Sequence, residues 1–368
     1  MGVDVFFVIS GYLITQHLIR EVVTTGTLDL WDFYGRRVRR ILPVFFAVTL
    51  TTLLLGAFIL LPLQNEQSRL ARTAMHAAAF MSNFEFARLG GYFDPGTEFN
   101  PLLHTWSLSV EEQFYLAWPL ALLGLALVSR STGRLLRSTA TTALAIACLV
   151  SLIYAIWAAH GEAGTSRRGF FLIWSRIWEL GLGSMIAIVL GCDSRRSISL
   201  IAAEMITAAG LIAILAAIFL YDERVPYPGI AAVVPVLGAA ALIGAGQLAP
   251  STTVSRLLAL RSMVLVGLVS YGWYLWHWPL LSLVRIQQMG KPDLLRDASV
   301  AAATFFLAVV TWHAIERPVR TLPRFRSRKA VIALGVGGTL VVFAAALGLK
   351  NYGWIASYRD PQIAMVAA

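Results

Sequence analysis

The sequence is poor in cysteine and in charge. Of 368 residues, two are cysteine and only 14% are Asp, Glu, Lys or Arg. Cys148 and Cys192 lie in or beside apolar runs, without CxxC spacing or a Cys/His cluster, which argues against a disulfide framework and against a zinc site. No metal is expected. There is no internal repeat and no low-complexity tract, so a solenoid array is not indicated. Met1 is followed at once by apolar residues, without a basic stretch or a small-residue cleavage site, which is not the pattern of a secretory signal. Charge this sparse, combined with 58% hydrophobic residues, is incompatible with a soluble core of this length.

What the chain has instead is long apolar sequence. Runs of about 20 residues, enough to cross a bilayer, lie at roughly 2–19, 41–62, 106–128, 139–159, 170–191, 199–220, 229–247, 262–284, 299–315 and 330–348. The expected fold class is all-α, a polytopic transmembrane helix bundle of about ten spans. One membrane domain covers 1–348, followed by a short outside tail, 349–368. With the first span running from outside to inside, eighteen Lys and Arg fall on inside segments and eleven outside, leaving Arg176 within a span. That bias sets the orientation. The net charge of +10 is then a topology signal, so the lipid bilayer is the expected partner and nucleic acid is not.

This orientation puts Met1 outside, which points to a missing upstream helix. Asp4, Gly11 and Thr15 share one face of the first span, a small and polar stripe suited to close packing. Two partners fit it equally: an upstream helix or later spans of the same chain. The long outside segment, 63–103, carries turn signals at Gly90-Gly91 and Asp94-Pro95-Gly96. An interfacial helix is expected between Asn65 and Arg88.

Four stretches could carry chemistry. HTWSLSVEEQFY, His104 to Tyr115, sets a histidine, two serines and two carboxylates at the mouth of an apolar run. Read as one helix, it projects His104, Ser107 and Glu111 from a single face, with Glu112 elsewhere. Intramembrane ionisable groups are read by default as functional. His104 has a bland alternative, a hydrogen bond at the helix entry. FYGRRVRRILP, Phe33 to Pro43, offers Arg36, Arg37, Arg39 and Arg40 at helical spacing, so guanidinium forks can converge on an anion such as phosphate. Lipid-headgroup anchoring explains the same cluster. WSRIWELGLG places Arg176 and Glu179 three apart as an internal ion pair, either scaffold or substrate contact. SYGWYLWHWPL aligns Ser270, Tyr274 and His277 on one face, with His277 either a packed histidine or a base and the tryptophans an interfacial belt. In IERPVR, Glu316 is expected to pair with Arg317 or Arg320 at the surface.

Together with GVDVFFVISGYLIT at Gly2 to Thr15, these stretches occur in an order and spacing that resemble the acyltransferase 3 family of bacterial integral-membrane O-acyltransferases. The resemblance covers nearly the whole chain. It implies an enzyme of the bacterial cytoplasmic (inner) membrane. Such an enzyme moves an acyl group, commonly acetyl, from cytoplasmic acyl-CoA to a hydroxyl of a carbohydrate acceptor at or beyond the outer face. Acyl-CoA would be a co-substrate, with no cofactor bound permanently. The family's acid falls on Glu111, and its R-x-x-R element on Arg37 and Arg40 or on Arg36 and Arg39. Its histidine helix, which precedes the GVDVFF segment, is not contained in this sequence. The chain is therefore expected to be a fragment or to have a mis-assigned start, with that histidine as base and Glu111 orienting it or the acceptor. His104 and Ser107 are further catalytic candidates; Arg176, Glu179, Tyr274 and His277 are candidates for substrate contact. A transporter or flippase is the rival reading, since interior Glu111, Arg176 and Glu179 would also suit a permeation path.

Overall fold

A computed structural model describes residues 2–25, 27–60, 65–89, 99–132, 135–161, 169–191, 197–222, 225–288 and 293–351. Among them there are helices and turns and no strand. A chain this apolar closes its backbone hydrogen bonds within each helix, because hydrocarbon offers no partner for an open N–H or C=O. Among the described residues, eight helices are long and apolar enough to cross a membrane. The protein is thus an all-α, multi-pass membrane protein. The other two expected spans are helices of a different kind. The run at 170–191 is broken by a 3₁₀ turn, Ile173–Ser175, and leaves a helix of only 14 residues, Ile177–Leu190. The run at 262–284 forms a 27-residue helix, Arg261–Gln287, that is rich in Trp and Tyr. The expected interfacial helix is two helices with a turn between them. The turn signals at 90–96, together with Cys192 and the tail from 352, lie outside the described residues.

The chain forms two compact units. The first comprises Met1–Leu28, Gly90–Tyr92 and Val110–Val264. It holds α1 (Gly2–Thr25), most of α5 (Thr105–Thr132), α6 (Leu136–His160), α7 (Ile177–Leu190), α8 (Leu200–Leu220), α9 (Val233–Leu248) and α10 (Thr253–Leu258). Two glycines let α1 and α7 approach backbone to backbone. A Cβ on Gly11 would lie 1.9 Å from the Leu180 carbonyl oxygen, and one on Gly183 would lie 2.0 Å from that of Val8. Ser184 then donates to the Gly11 carbonyl at 3.1 Å. Small residues at helix crossings serve this purpose in membranes, where apolar side chains gain little by leaving lipid. Beside this contact, Val8, Trp178, Ala232, Val236 and Ala239 form a buried cluster. The stripe of Asp4, Gly11 and Thr15 is thus covered by later spans of the same chain, α7 and α5.

The second unit comprises Asp29–Leu89, Phe93–Ser109 and Leu265–Ala368. It holds α2 (Leu30–Ile59), α3 (Glu66–Ala78), α4 (Ser82–Leu89), the first turn of α5, α11 (Arg261–Gln287) from Leu265, α12 (Leu294–Thr321) and α13 (Arg328–Asn351). Asp29 caps α2 by accepting from the Asp32 amide at 3.0 Å. In α11 the indoles have hydrogen-bond partners on neighbouring segments. Trp273 donates to the Ala301 carbonyl at 3.1 Å, and Trp276 to Thr311 at 3.0 Å, fixing α11 to α12. The Tyr271 hydroxyl donates to the Ile41 carbonyl at 2.8 Å, fixing it to α2.

Gly11→Ala and Gly183→Ala should each lower the thermal unfolding temperature in detergent, since overpacking costs about 1–3 kcal/mol. Gly124→Ala, where nothing lies within 4 Å of the added carbon, is the control and should leave it unchanged.

Candidate functional site

In the first unit Arg176 is fully buried, at the junction between the 3₁₀ turn and α7. It donates to Glu179 at 2.9 Å, the partner that the spacing of the two residues implies, and to Asp4 of α1 at 2.8 Å. All three side chains are 1% exposed or less. The guanidinium also donates to the Phe170 carbonyl at 3.3 Å and lies over the rings of Phe170 and Tyr227, at 4.9 and 5.8 Å. Two carboxylates around one guanidinium, enclosed by aromatic rings, make a cross-link between α1 and α7. The sequence marked Asp4 only as part of a packing stripe; its role in the ion cluster comes from the fold.

Glu111 is buried on α5. Its Oε1 accepts from the hydroxyls of Ser10 on α1 and Tyr115, one turn along α5, and those two hydroxyls also meet each other. Three residues further on, Trp118 donates to Thr15 at 2.8 Å. Glu112 is less deeply buried than Glu111. The i, i+4 spacing to Tyr115 was visible in the sequence, whereas nothing there singled out Ser10.

The second unit gathers His104, Ser107, Tyr274 and His277. Here the structure corrects the single-helix reading of His104 to Glu111. Helix α5 begins at Thr105, and His104 belongs to the turn before it, closed by Leu103 N to Asn100 O at 3.0 Å. His104 therefore does not follow helical spacing. The Tyr274 hydroxyl donates to the His104 carbonyl at 2.6 Å. The Ser107 hydroxyl lies 2.6 Å from the phenolic oxygen and also donates to the His104 carbonyl at 3.3 Å, so the three groups form one hydrogen-bonded cluster. The His104 ring lies edge-on to Tyr274 and His277, with centroids 5.4 and 6.0 Å apart. His277 Nδ1 sits 2.6 Å from the Tyr274 carbonyl. Ser270, expected on the same face, is exposed and donates to the Gly267 carbonyl.

His104 is 5% exposed, and neither ring nitrogen makes a well-formed hydrogen bond among the described residues. The helix-entry hydrogen bond anticipated for its side chain is absent there; it is the backbone carbonyl that is engaged. Burial, assisted by the neighbouring His277, holds the imidazole well below the usual histidine range, although the nearby Leu275 backbone acts in the opposite sense. The result is a neutral, enclosed imidazole whose unprotonated nitrogen stays open to a proton donor.

The arginines lie on the first three turns of α2. Arg36 is paired with Asp32, one turn back; Arg37 and Arg39 are half-buried, and Arg40 is exposed. Arg328 at the start of α13 lies 5.3 Å over the Trp31 ring. Glu316 is buried rather than at the surface, and it accepts from Arg320 at 2.8 Å. No group of three metal-ligating side chains occurs among the described residues. The Cys148 thiol points at the Trp178 carbonyl, 3.7 Å away.

A family model described as an acyltransferase domain matches residues 1–313. The chain is 30% identical over 332 residues to the Bacillus subtilis protein provisionally named peptidoglycan O-acetyltransferase YrhL, covering 87% of this chain and 50% of that one. It is 29% identical over 337 residues to peptidoglycan O-acetyltransferase OatA of Listeria monocytogenes, covering 87% and 51%. For the O-acetyltransferase OatA of Staphylococcus aureus the identity is 29% over 326 residues, with 87% and 52% covered. The chain thus spans about half the length of the curated relatives it matches. No solved structure matches it.

Arg176→Gln leaves Asp4 and Glu179 buried without their cation. Breaking a buried pair in this way costs about 3–5 kcal/mol, so size-exclusion profiles should show little folded protein, while Glu179→Gln should be milder. For His104, a depressed pKa means that the folded state resists protonation. Its contribution to stability is complete above the ordinary value of about 6.5 and is lost as the pH falls below it. Solid-state ¹⁵N spectra of histidine-labelled protein should keep a neutral imidazole signal below that pH, and His104→Ala should diminish it.

Proposed function

Since the chain belongs to the acyltransferase domain family, known as acyltransferase 3, we propose that it is a membrane O-acyltransferase that moves an acyl group, acetyl first of all, from acyl-CoA to a hydroxyl of a cell-envelope carbohydrate. Relatives named for O-acetylation of peptidoglycan support a cell-wall polysaccharide as acceptor, and a bacterial cytoplasmic membrane as the location. They favour an enzyme over the transporter reading.

In the reaction the acceptor oxygen attacks the thioester carbonyl carbon, a C–O bond forms and the C–S bond breaks. The thiolate departs with the bonding pair, and the hydroxyl proton must go to a base. A thiolate is a good leaving group, so no strong acid is required. Arg36, Arg37, Arg39 and Arg40 are proposed to hold the phosphates of the donor through paired guanidinium N–H groups. His104 is proposed to receive the hydroxyl proton. The observation that carries this is a buried, neutral ring with neither nitrogen hydrogen-bonded among the described residues, so that the unprotonated one is open to a donor. Tyr274 and Ser107 hold the turn that presents it, and His277 lines the same cluster. Glu111, the family's acid by position, is proposed to act through the Ser10 and Tyr115 hydroxyls it accepts from. Arg176 and Glu179 are better read as scaffold than as substrate contacts.

Mass spectrometry of acceptor in membranes of equal expression tests this. His104→Ala should reduce transfer about 10²- to 10⁴-fold, as removal of a general base does. Glu111→Gln should abolish product while Glu112→Gln is tolerated, and equal loss in both would remove the distinction. Replacing Arg37 and Arg40 with Lys keeps the charge but not the forks, so insertion should survive and acyl-CoA affinity should fall. Unchanged affinity would return the cluster to headgroup anchoring.

A further inference from the structure

At the end of the second unit that the charge bias puts inside, α12 finishes irregularly. Trp312–Glu316 is a π-turn, closed by the Arg317 amide on the Trp312 carbonyl five residues back. Pro318 has no amide to offer the Ala314 carbonyl, and its ring would crowd that oxygen in a regular helix, so the wider turn accommodates it. The turn packs on α2. α13 starts beside the same helix: a Cβ on Gly35 would lie 3.9 Å from the Val331 side chain, and one on Gly335 would lie 3.8 Å from that of Leu42. The arginine turns of α2, the last turns of α12 and the first turns of α13 thus form one tip.

Residues 29–40 and 316–329 of this tip carry ten Lys or Arg against three acids. Asp29 caps α2, and Asp32 pairs with Arg36. The third acid is buried among the cations. Glu316 is 3% exposed; it accepts from Arg320 Nη1 at 2.8 Å, and Arg40 of α2 is near enough for its charge to act on it. Arg326, between α12 and α13, likewise brings its charge to Arg39. A patch that only attracts lipid headgroups needs charge and no fixed geometry, and a buried acid within it lowers that charge and costs desolvation. What Glu316 supplies is position. It holds one N–H of Arg320, whose side chain is 43% exposed, and leaves the rest of the fork outside that bond. An arginine fixed beforehand spares a ligand the cost of ordering it.

We propose that Glu316 is a positioning residue for the donor: it holds Arg320 beside Arg40, so that guanidinium groups from α12 and α2 grip one phosphate of acyl-CoA between them. The inference rests on the donor reading above and adds Arg320 as a phosphate ligand, with Glu316 as the residue that sets it. Glu316 touches neither donor nor acceptor and acts through Arg320. A lipid phosphate offers the same chemistry, and the experiment separates the two sources.

The test uses the full-length protein in detergent. Calorimetry reads binding of CoA and of 3′-phospho-ADP, its nucleotide without the pantetheine arm; lipid mass spectrometry reads how much phosphatidylglycerol survives detergent washing. Glu316→Gln keeps the shape and an acceptor oxygen but not the charge, so folding should survive. It should weaken both nucleotides about tenfold, the scale of one charged hydrogen bond, and leave lipid retention as in the wild type. The acyl-CoA KM should rise by a similar factor while the acceptor KM stays; a merely structural role would move both. Arg320→Lys keeps the charge without the fork and should weaken CoA to the same degree. Since Glu316 acts through Arg320, Glu316→Gln added to Arg320→Gln should weaken CoA no further. If Arg320→Gln does not fold, the first two variants decide. Wild-type CoA affinity in both Glu316→Gln and Arg320→Lys, or loss of retained lipid in its place, would overturn the site, as would a wild-type protein that binds no CoA. If CoA binds and Glu316→Gln weakens it, yet no acyl group is transferred, the phosphate site stands and the proposed reaction falls.

Discussion

A guanidinium enclosed by helices can persist only where its charge is met, and Arg176 meets two carboxylates from two helices. Asp4 and Glu179 thereby set where α1 lies along α7. The glycines set how close it lies, since Gly11 and Gly183 admit the opposing backbone at distances that no side chain would allow. The two effects need each other. Small residues alone would permit sliding, and an ion pair alone would not bring the backbones together. Ser10, on the same helix, then reaches the Glu111 carboxylate, so the proposed role of Glu111 depends on α1 being fixed by a contact that takes no part in the chemistry.

In the second unit the corresponding constraint is the polarity of α11. Indole and phenol groups are costly in hydrocarbon unless they find an acceptor. Trp273, Trp276, Trp278, Tyr271 and Tyr274 each donate to a carbonyl or hydroxyl of a neighbouring segment. Satisfying them docks α2, α12 and the 99–104 turn against one helix. His104 stands apart, because its ring nitrogens make no such bond among the described residues. Under the proposed function, an acceptor hydroxyl would supply that partner.

Much of this was legible in the residues themselves. Hydropathy located the spans, because the length of apolar sequence needed to cross a bilayer is a local property. The i, i+3 spacing of Arg176 and Glu179 gave their pair, whereas the bond from Tyr115 to Glu111, one turn apart, came from the structure. Local spacing also misled where a helix was assumed to continue. Ile173–Ser175 interrupts one apolar run, and the turn ending at His104 removes that residue from the face it was expected to share with Glu111.

The sequence alone therefore determined the membrane class, the helical elements, the charge bias and the pairs one turn apart, all of which depend on neighbours in the chain and on the solvent. Tertiary structure decided the rest: Asp4 as the second acid on Arg176, Ser10 as a donor to Glu111, Asn100 and Phe99 as acceptors for α11, and the open imidazole of His104. Those depend on which faces of distant helices meet and at what height. In apolar helices that choice is left to a few small residues and buried charges, since lipid-facing and helix-facing leucines read alike.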